Sequence, residues 1–434
     1  MDVLMHMGLM LALIILFLGL GTWVFVGLFL VAISSLFFIA DFSIDRIGFI
    51  ARSVVWRSAS AWELSAIPLF IWMGEIIFRT DISDRLFRGL SPLVQWMPGR
   101  LLHTNVLGCT LFAAVSGSTS ATTATVGKIT TTALAERSYN NALSVGSLAG
   151  AGSLGLLIPP SIVMIIYGVL AEVSISKLFA AGIMPGLLVA FLYSSYIIVR
   201  CVMSPQLAPA SDERISLQQC LSGLKDLLPI VTLIVLVLGG IYSGIATPSE
   251  AAAVGVMATF VLIILMGSFS WDIVIEAAMG AVKTSCMVCS ILVSAAFLST
   301  AIGYLHIPVQ LVTLIESMAL SPYGLLLILA AFYILLGFFL DGISIIVMSL
   351  PITLPLILQA GFDPIWYGVF LVLMVELAQM TPPVGFNLFI LQGLTGQSIG
   401  RVVQAAFPFF ILMCIAVVII SLFPQVVLVL PNMM

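Results

Sequence analysis

Two proline pairs are the residues whose type and spacing most directly indicate chemistry in this sequence. Pro159-Pro160 and Pro382-Pro383 are the only Pro-Pro pairs in the chain, and both lie inside apolar stretches. Proline lacks a backbone N–H and clashes with the carbonyl four residues earlier, so each pair interrupts a helix and frees carbonyl groups. Free carbonyl oxygens in a broken membrane helix suit the coordination of a small alkali cation. The carbonyls predicted to be free belong to Gly155, Leu156, Ala378 and Gln379.

Two polar breaks add hydroxyl and carboxyl oxygens. Ser116-Gly117-Ser118-Thr119-Ser120 interrupts the apolar stretch 101–134, and Asp341-Gly342-Ile343-Ser344 interrupts 322–360. Such breaks are tolerated in a membrane only where they are buried in protein or line a wet cavity, so we expect two re-entrant helical hairpins with the breaks at their tips. Helices that begin at the tips would direct N–H groups inward, which favours a carboxylate. Coupled uptake of a cation and an organic anion follows as a hypothesis.

Single residues at these breaks also have structural interpretations. Serine- and threonine-rich segments of membrane helices often serve packing and interhelical hydrogen bonding, so 116–123 alone leaves both interpretations open. Asp341 lies deep within an apolar stretch, where an ionisable residue indicates a functional site. Glu376 occupies a similar position, and both a functional role and pairing with a helix neighbour remain open. Glu75 and Arg79 have the i,i+4 spacing of a structural ion pair.

The composition requires lipid as the main solvent. Of 434 residues, 62% are hydrophobic and 8% are charged, against about 25% charged residues in a typical soluble domain. The net charge of −4 gives no support to nucleic-acid binding. The apolar stretch 3–40 is too long for a cleaved signal core and is predicted to form two short spans. Further spans are predicted at 62–79, 140–167, 179–200, 227–246, 249–268, 273–300, 366–391 and 402–430.

The two halves of the chain are related by a shift of 223 residues. This shift places Pro159-Pro160 on Pro382-Pro383 and Pro185 on Pro408, so each half contains a hairpin, a Pro-Pro-broken helix and a helix with one proline. No Lys or Arg lies between Lys283 and Arg401. The positive-inside rule therefore places the base of the first hairpin in the cytoplasm and the base of the second outside. The predicted fold is an all-α polytopic membrane protein with two inverted structural repeats.

Several motifs, taken together from about residue 60 to the C-terminus, resemble the large membrane subunit of TRAP-type (tripartite ATP-independent periplasmic) transporters. The motifs are Ser116–Thr122, Gly152–Ser161, Ala181–Gly186, Thr247–Ala253, Leu340–Gly342, Pro351–Pro355 and Thr381–Asn387. The resemblance implies an elevator-type transporter in the bacterial inner membrane. It also implies two partner proteins, a small membrane subunit and a periplasmic substrate-binding protein, and sodium-coupled uptake of a small organic anion.

The same resemblance implies a division of the chain and a set of site residues. Scaffold helices would occupy 1–100 and 227–321, the two transport halves 101–200 and 322–434, and a cytoplasmic linker 201–226. One sodium site would comprise Ser116, Gly117, Ser118, Gly152, Ser153 and Gly155. The other would comprise Leu340, Gly342, Met380 and Thr381. The organic anion would lie between the tips, at Ser118, Thr119, Ser120, Pro160, Asp341, Gly342 and Pro383.

Three alternative functions are open to a chain with these features. A sodium/dicarboxylate symporter that needs no binding protein would share the hairpins and repeats, and a passive channel would show no sodium coupling. An intramembrane enzyme would use Ser116 or Ser118 as a nucleophile and would need a histidine base within hydrogen-bond reach. His103 is predicted near a membrane surface and His306 in a loop, so we predict that the chain is not an enzyme.

Overall fold

A computed structural model describes residues 2–209, 216–317, 320–382 and 385–434, and all regular secondary structure in these ranges is helical. The N-terminal half contains ten α-helices. They are α1 (Asp2–Gly19), α2 (Val24–Phe38), α3 (Ile44–Ala59), α4 (Ala66–Phe78), α5 (Ile82–Val94), α6 (Leu102–Ser116), α7 (Thr119–Glu136), α8 (Asn141–Gly152), α9 (Ile162–Leu170) and α10 (Ile175–Met203).

The C-terminal half also contains ten α-helices within the described residues. They are α11 (Leu217–Tyr242), α12 (Pro248–Leu265), α13 (Trp271–Tyr304), α14 (Ile307–Ser317), α15 (Pro322–Leu336), α16 (Gly342–Gln359), α17 (Pro364–Gln379), α18 (Phe386–Thr395), α19 (Ile399–Leu422) and α20 (Gln425–Leu428). Within the described ranges, six helices are long and apolar enough to cross a membrane, namely α10, α11, α12, α13, α16 and α19.

The predicted interruptions coincide with real helix ends. The stretch 3–40 forms two helices, α1 and α2, and the stretches 101–134 and 322–360 form the helix pairs α6–α7 and α15–α16. The predicted span 140–167 is divided into α8 and α9, and 366–391 into α17 and α18. Three helices, α3, α5 and α14, lie outside the predicted spans and hairpins. Helix also occupies both ends of the predicted linker 201–226, because α10 extends to Met203 and α11 begins at Leu217.

Many of the strongest helix contacts fall in two groups. In the first group, α4 packs on α12 and α13, α2 on α13, and α5 on α11. In the second group, α8 packs on α19, α7 on α18, α10 on α17, and α9 on α16. Arg79 links α4 and α13 within the first group, because its guanidinium lies 3.2 Å from Glu75 on α4 and 2.9 Å from Glu276 on α13. The groups meet where α4, α5 and α11 contact α6 and where α13 and α14 contact α16.

The two hairpins enter this arrangement from opposite ends of α10. At the base of the α6–α7 hairpin, the Asn140 N–H donates to the Leu207 carbonyl (3.0 Å) and Arg100 donates to the Pro209 carbonyl (2.8 Å), just beyond the end of α10. At the base of the α15–α16 hairpin, the Pro364 carbonyl accepts from Tyr167, just before α10 begins. A helix of 29 residues separates these ends by about 43 Å. The hairpins are therefore inverted relative to each other.

Candidate functional site

The first hairpin tip is a tight turn lined by hydroxyl groups. α6 ends at Ser116, and Gly117 takes the left-handed backbone conformation (φ 58°) that favours glycine. Ser118 then caps α7, with its Oγ 3.0 Å from Ser120 Oγ, while Ser116 Oγ lies 2.8 Å from Thr122 Oγ1. Ser118 and Ser120 are half-buried.

The first broken helix lies directly against this tip. A 3₁₀ turn at Ser153–Gly155 follows α8, and its residues are buried. A Cβ atom placed on Gly155 would lie 2.5 Å from Thr119 Cα, and one placed on Gly117 would lie 2.6 Å from the Pro160 carbonyl oxygen. Within the described residues, no N–H or O–H group donates to the carbonyls of Gly155 and Leu156, as the Pro-Pro pair predicted. The first tip therefore lies against the first broken helix at Gly117 and Gly155.

The second hairpin tip is organised by Asp341. The Asp341 carboxylate caps α16, accepting from Ser344 Oγ (2.5 Å) and from the Ile343 N–H (3.2 Å). Asp341 is exposed at the tip, Leu340 is half-buried, and Gly342 is buried. A Cβ atom placed on Gly342 would lie 2.6 Å from Val375 Cγ1 on α17, so this tip also lies against a broken helix. Asp341 thus has a structural capping role at the position where an anion or cation ligand was predicted.

The second broken helix differs from the prediction in one respect. The Ala378 carbonyl is not free, because it accepts the Thr381 N–H (3.1 Å). The last turn of α17 tightens to an i→i+3 bond, as helix ends often do, and this satisfies a carbonyl that the Pro-Pro pair alone would leave unpaired. Thr381 Oγ1 donates to the Leu377 carbonyl (2.6 Å), and Met380 is buried. Pro383 lies outside the described residues.

Contacts between the halves bring both tips and both breaks together. Glu376, near the end of α17, is fully buried, and its Oε1 accepts from Thr119 Oγ1 (2.5 Å) and from the Leu156 N–H (3.0 Å). The neighbouring Val375 contacts Gly342 of the second tip, so adjacent residues of one helix meet both tips. On the other side of the second break, Asn387 Nδ2 donates to the Ala149 carbonyl at the end of α8 (3.0 Å).

Sequence reasoning did not assign Glu376 or Asn387 to the site. Glu376 was left between a functional role and a helix-neighbour pair, and its partners come from the other half of the chain, 257 and 220 residues away. Its signal was that of an ionisable residue inside an apolar stretch. In the sequence, Asn387 was noted only as part of the Thr381–Asn387 motif. Its role as a donor to the other half follows from tertiary structure alone.

The geometry does not support a serine nucleophile at the first tip. His103 stands thirteen residues before Ser116 on α6, so about 20 Å separates them along the helix axis. Its Nε2 lies 2.9 Å from the Pro98 carbonyl at the hairpin base. His306 lies just before α14, in the other helix group. What the tips and breaks offer instead is a concentration of hydroxyl and carbonyl oxygens beside four helix N-termini, those of α7, α9, α16 and α18.

Paired hairpins and paired broken helices around one buried polar centre define the class of protein as a secondary membrane transporter. The chain belongs to the DctM component family of tripartite ATP-independent periplasmic transporters, whose family model matches residues 11–426. This confirms the resemblance noted in the sequence. The relatives named below are transporter permeases, which agrees with the prediction that the chain is not an enzyme.

Individual relatives match most of the chain. It is 34% identical to the C4-dicarboxylate TRAP transporter large permease protein DctM of Pseudomonas aeruginosa, covering 90% of this chain and 91% of that one. It is 31% identical to the isethionate TRAP transporter permease protein DctMQ of Oleidesulfovibrio alaskensis, covering 95% of this chain and 64% of that one. The crystal structure of the Alcanivorax borkumensis YdaH transporter, described as having an unusual topology, aligns with a TM-score of 0.61 over 87% of this chain and 88% of that one. Its identity is 14%, so it supports the fold alone.

Proposed function

We propose that this chain is the permease of a sodium-coupled system that takes up a small organic anion across the bacterial inner membrane. The observation that carries the proposal is the meeting of both hairpin tips on adjacent residues of α17, Val375 and Glu376. Groups from both halves therefore lie beside the same segment of α17. A cation and an anion bound there would share one environment, which is what coupling of their transport requires.

The proposed sodium sites lie where each tip meets a broken helix. The first combines the tip residues Ser116, Gly117 and Ser118 with the turn Gly152–Gly155. Its support is the close approach of Gly155 to Thr119 and the carbonyls of Gly155 and Leu156 that lack a donor. Hard oxygen ligands of this kind suit an alkali cation. The second proposed site combines Leu340 and Gly342 with Met380 and Thr381. Its support is the close approach of Gly342 to Val375 and Gln379 of α17.

The proposed substrate lies between the tips as an anion. The N-termini of α7 and α16 begin at the two tips, and the positive ends of their dipoles favour negative charge. The half-buried hydroxyls of Ser118 and Ser120 would donate to it, with Thr119, Pro160 and Gly342 forming the buried surroundings. Pro383 remains a prediction for this site. The names of two relatives include C4-dicarboxylate and isethionate, and both substrates are anionic.

Movement and partners complete the proposal. The helix group that carries the hairpins would move against the scaffold group in an elevator-type cycle, with both hairpins re-entrant in the membrane. The described contacts between the groups at the α4–α6 and α13–α16 junctions would slide in that motion. A small TRAP membrane subunit would accompany the scaffold, and a periplasmic binding protein would deliver the anion. The word tripartite in the name of the family supports two partner components.

Uptake in proteoliposomes tests this function. The permease, with its small membrane subunit, is reconstituted and given radiolabelled succinate or isethionate and the cognate binding protein, under an inward sodium gradient or an equal choline gradient. Accumulation above the external concentration only with sodium and the binding protein is expected. Accumulation without the binding protein would favour the independent symporter, and equilibration that ignores the sodium gradient would favour a channel.

A further inference from the structure

Glu376 is not part of the proposed sodium and anion sites. It is a fully buried carboxyl group at the junction of the two halves, and Oε1 accepts both of its hydrogen bonds, from Thr119 and Leu156. Both donors are neutral. Its second oxygen, Oε2, has no hydrogen-bond partner among the described residues. A carboxylate held in this way has half of its acceptor capacity available to a further ligand.

No side chain of the described residues supplies a compensating positive charge. Glu376 forms no ion pair with Lys, Arg or His in those ranges, and the sequence contains no Lys or Arg from 284 to 400. The N-terminus of α7 at Thr119 contributes about half a unit of positive charge, which is insufficient alone. Burying an unpaired carboxylate is costly, so such a group takes up a proton or pairs with a cation, and ionisable residues within membrane segments mark ion pathways.

The residues bonded to Glu376 adjoin the first proposed sodium site on both sides. Thr119 follows Ser118 in the tip, and Leu156 follows Gly155 in the broken helix. The 223-residue shift also places Glu376 on Ser153 and Asp341 on Ser118. The two repeats therefore differ by carboxylates in the second half where the first half has serines. As a result each tip has one carboxylate, Asp341 within the second tip and Glu376 bonded to the first.

We infer that Glu376 supplies the negative charge that pairs with the cation at the first hairpin tip, contributed across the repeat boundary by the second half. This inference rests on the proposed function and deepens it. Through the Thr119 and Leu156 hydrogen bonds, the same carboxylate positions the tip against the broken helix. Cation binding in one half is thereby linked to the placement of a helix from the other half, and the charge of one ion is balanced inside the protein before the anion binds.

Replacement of Glu376 by glutamine separates charge from geometry. The Gln side chain has the same length, and its Oε1 accepts from Thr119 and Leu156 as the carboxylate does, but it carries no charge. The measurement is the unfolding temperature of the purified chain as sodium chloride replaces choline chloride at constant ionic strength, which reports ion binding without transport. The matched control is Glu276→Gln, which removes an equal charge from an exposed carboxyl group on α13.

The expected result is a sodium half-saturation concentration at least tenfold higher in Glu376→Gln, with Glu276→Gln within twofold of the wild type. A Glu376→Gln protein that keeps the wild-type sodium response would overturn the inference. Glu376→Asp retains the charge one methylene group shorter and is expected to keep a saturable sodium response. If the glutamine variant does not fold, the neutral variant Glu376→Met takes its place, and a folded methionine variant that keeps the wild-type sodium response would overturn the inference.

The outcomes separate this inference from the proposed function. A wild-type protein without any sodium-dependent stabilisation would overturn sodium coupling itself, and the role of Glu376 with it. A wild-type response that survives the loss of the Glu376 charge overturns only the role of this residue.

Discussion

Substitution of Gly155 by alanine tests the contact between the first tip and its broken helix. The added Cβ would lie 2.5 Å from Thr119 Cα, 2.6 Å from Thr119 N and 2.8 Å from Ser118 C. All three are backbone atoms, so no side-chain rotation relieves the overlap. Carbon atoms in contact are about 3.5 Å apart, and the tip must therefore move by about 1 Å.

A movement of this size has a calculable effect on the site. Where the movement is directed away from Glu376, it would lengthen the 2.5 Å bond from Thr119 to Glu376 to about 3.5 Å, which is no longer a hydrogen bond. Overpacking of a filled interior costs about 1–3 kcal/mol. If sodium binding requires the seated tip, this cost appears in the affinity for sodium. The half-saturating sodium concentration is then expected to rise roughly 5- to 150-fold.

Sodium-dependent uptake in proteoliposomes measures this concentration, with sodium-dependent thermal stabilisation as a second readout. The matched control is Gly239→Ala on α11, where an added Cβ meets nothing within 4 Å, so unchanged sodium dependence is expected. A Gly155→Ala protein whose sodium dependence equals that of the wild type would refute the proposal that the cation binds where this tip meets the break.

Three further predictions concern the second tip, the link between the halves and an exposed ion pair. Asp341→Asn removes a charge at the N-terminus of α16, and the half-saturating sodium concentration in uptake is expected to rise about two- to fivefold; an unchanged value would contradict a sodium role for this tip. Asn387→Leu leaves the buried Ala149 carbonyl without its donor and is expected to lower the free energy of unfolding by about 1–3 kcal/mol, measured by denaturant titration in detergent; a change below about 0.5 kcal/mol would show that this link contributes little. Arg57→Gln breaks an exposed pair with Glu172 and is expected to change the same free energy by less than about 1 kcal/mol, so a larger loss would contradict the view that this contact is a weak surface pair.

Local chemistry made the interruptions predictable. A proline pair breaks a helix wherever it stands, and the breaks between α8 and α9 and between α17 and α18 lie at the two pairs. Ser118 and Asp341 likewise cap the helices that begin at the tips. Because the shift of 223 residues pairs these features, the repeats also followed from sequence. In the structure, the hairpin bases lie at opposite ends of α10, which confirms that the repeats are inverted.

Features that depend on tertiary or local hydrogen-bond choices were not predictable. The Ala378 carbonyl was expected to be free, but a tightened last turn of α17 pairs it with Thr381. The helix α5 was not predicted because its sequence reads as a polar connection. One side of this helix carries charged residues, while its apolar side packs on α11. The partners of Glu376 lie more than 200 residues away, and no spacing rule connects them.

The central claim is that the tips and broken helices of both halves form one centre that binds sodium. High-resolution cryo-electron microscopy of the protein, prepared in sodium chloride and in choline chloride, tests it most directly. The account predicts sodium-dependent density between Ser116–Ser118 and Gly152–Gly155, and a second density between Leu340–Gly342 and Met380–Thr381. Sodium-dependent density elsewhere with none at these two positions, or tips that stand apart from α17 and face lipid, would contradict it.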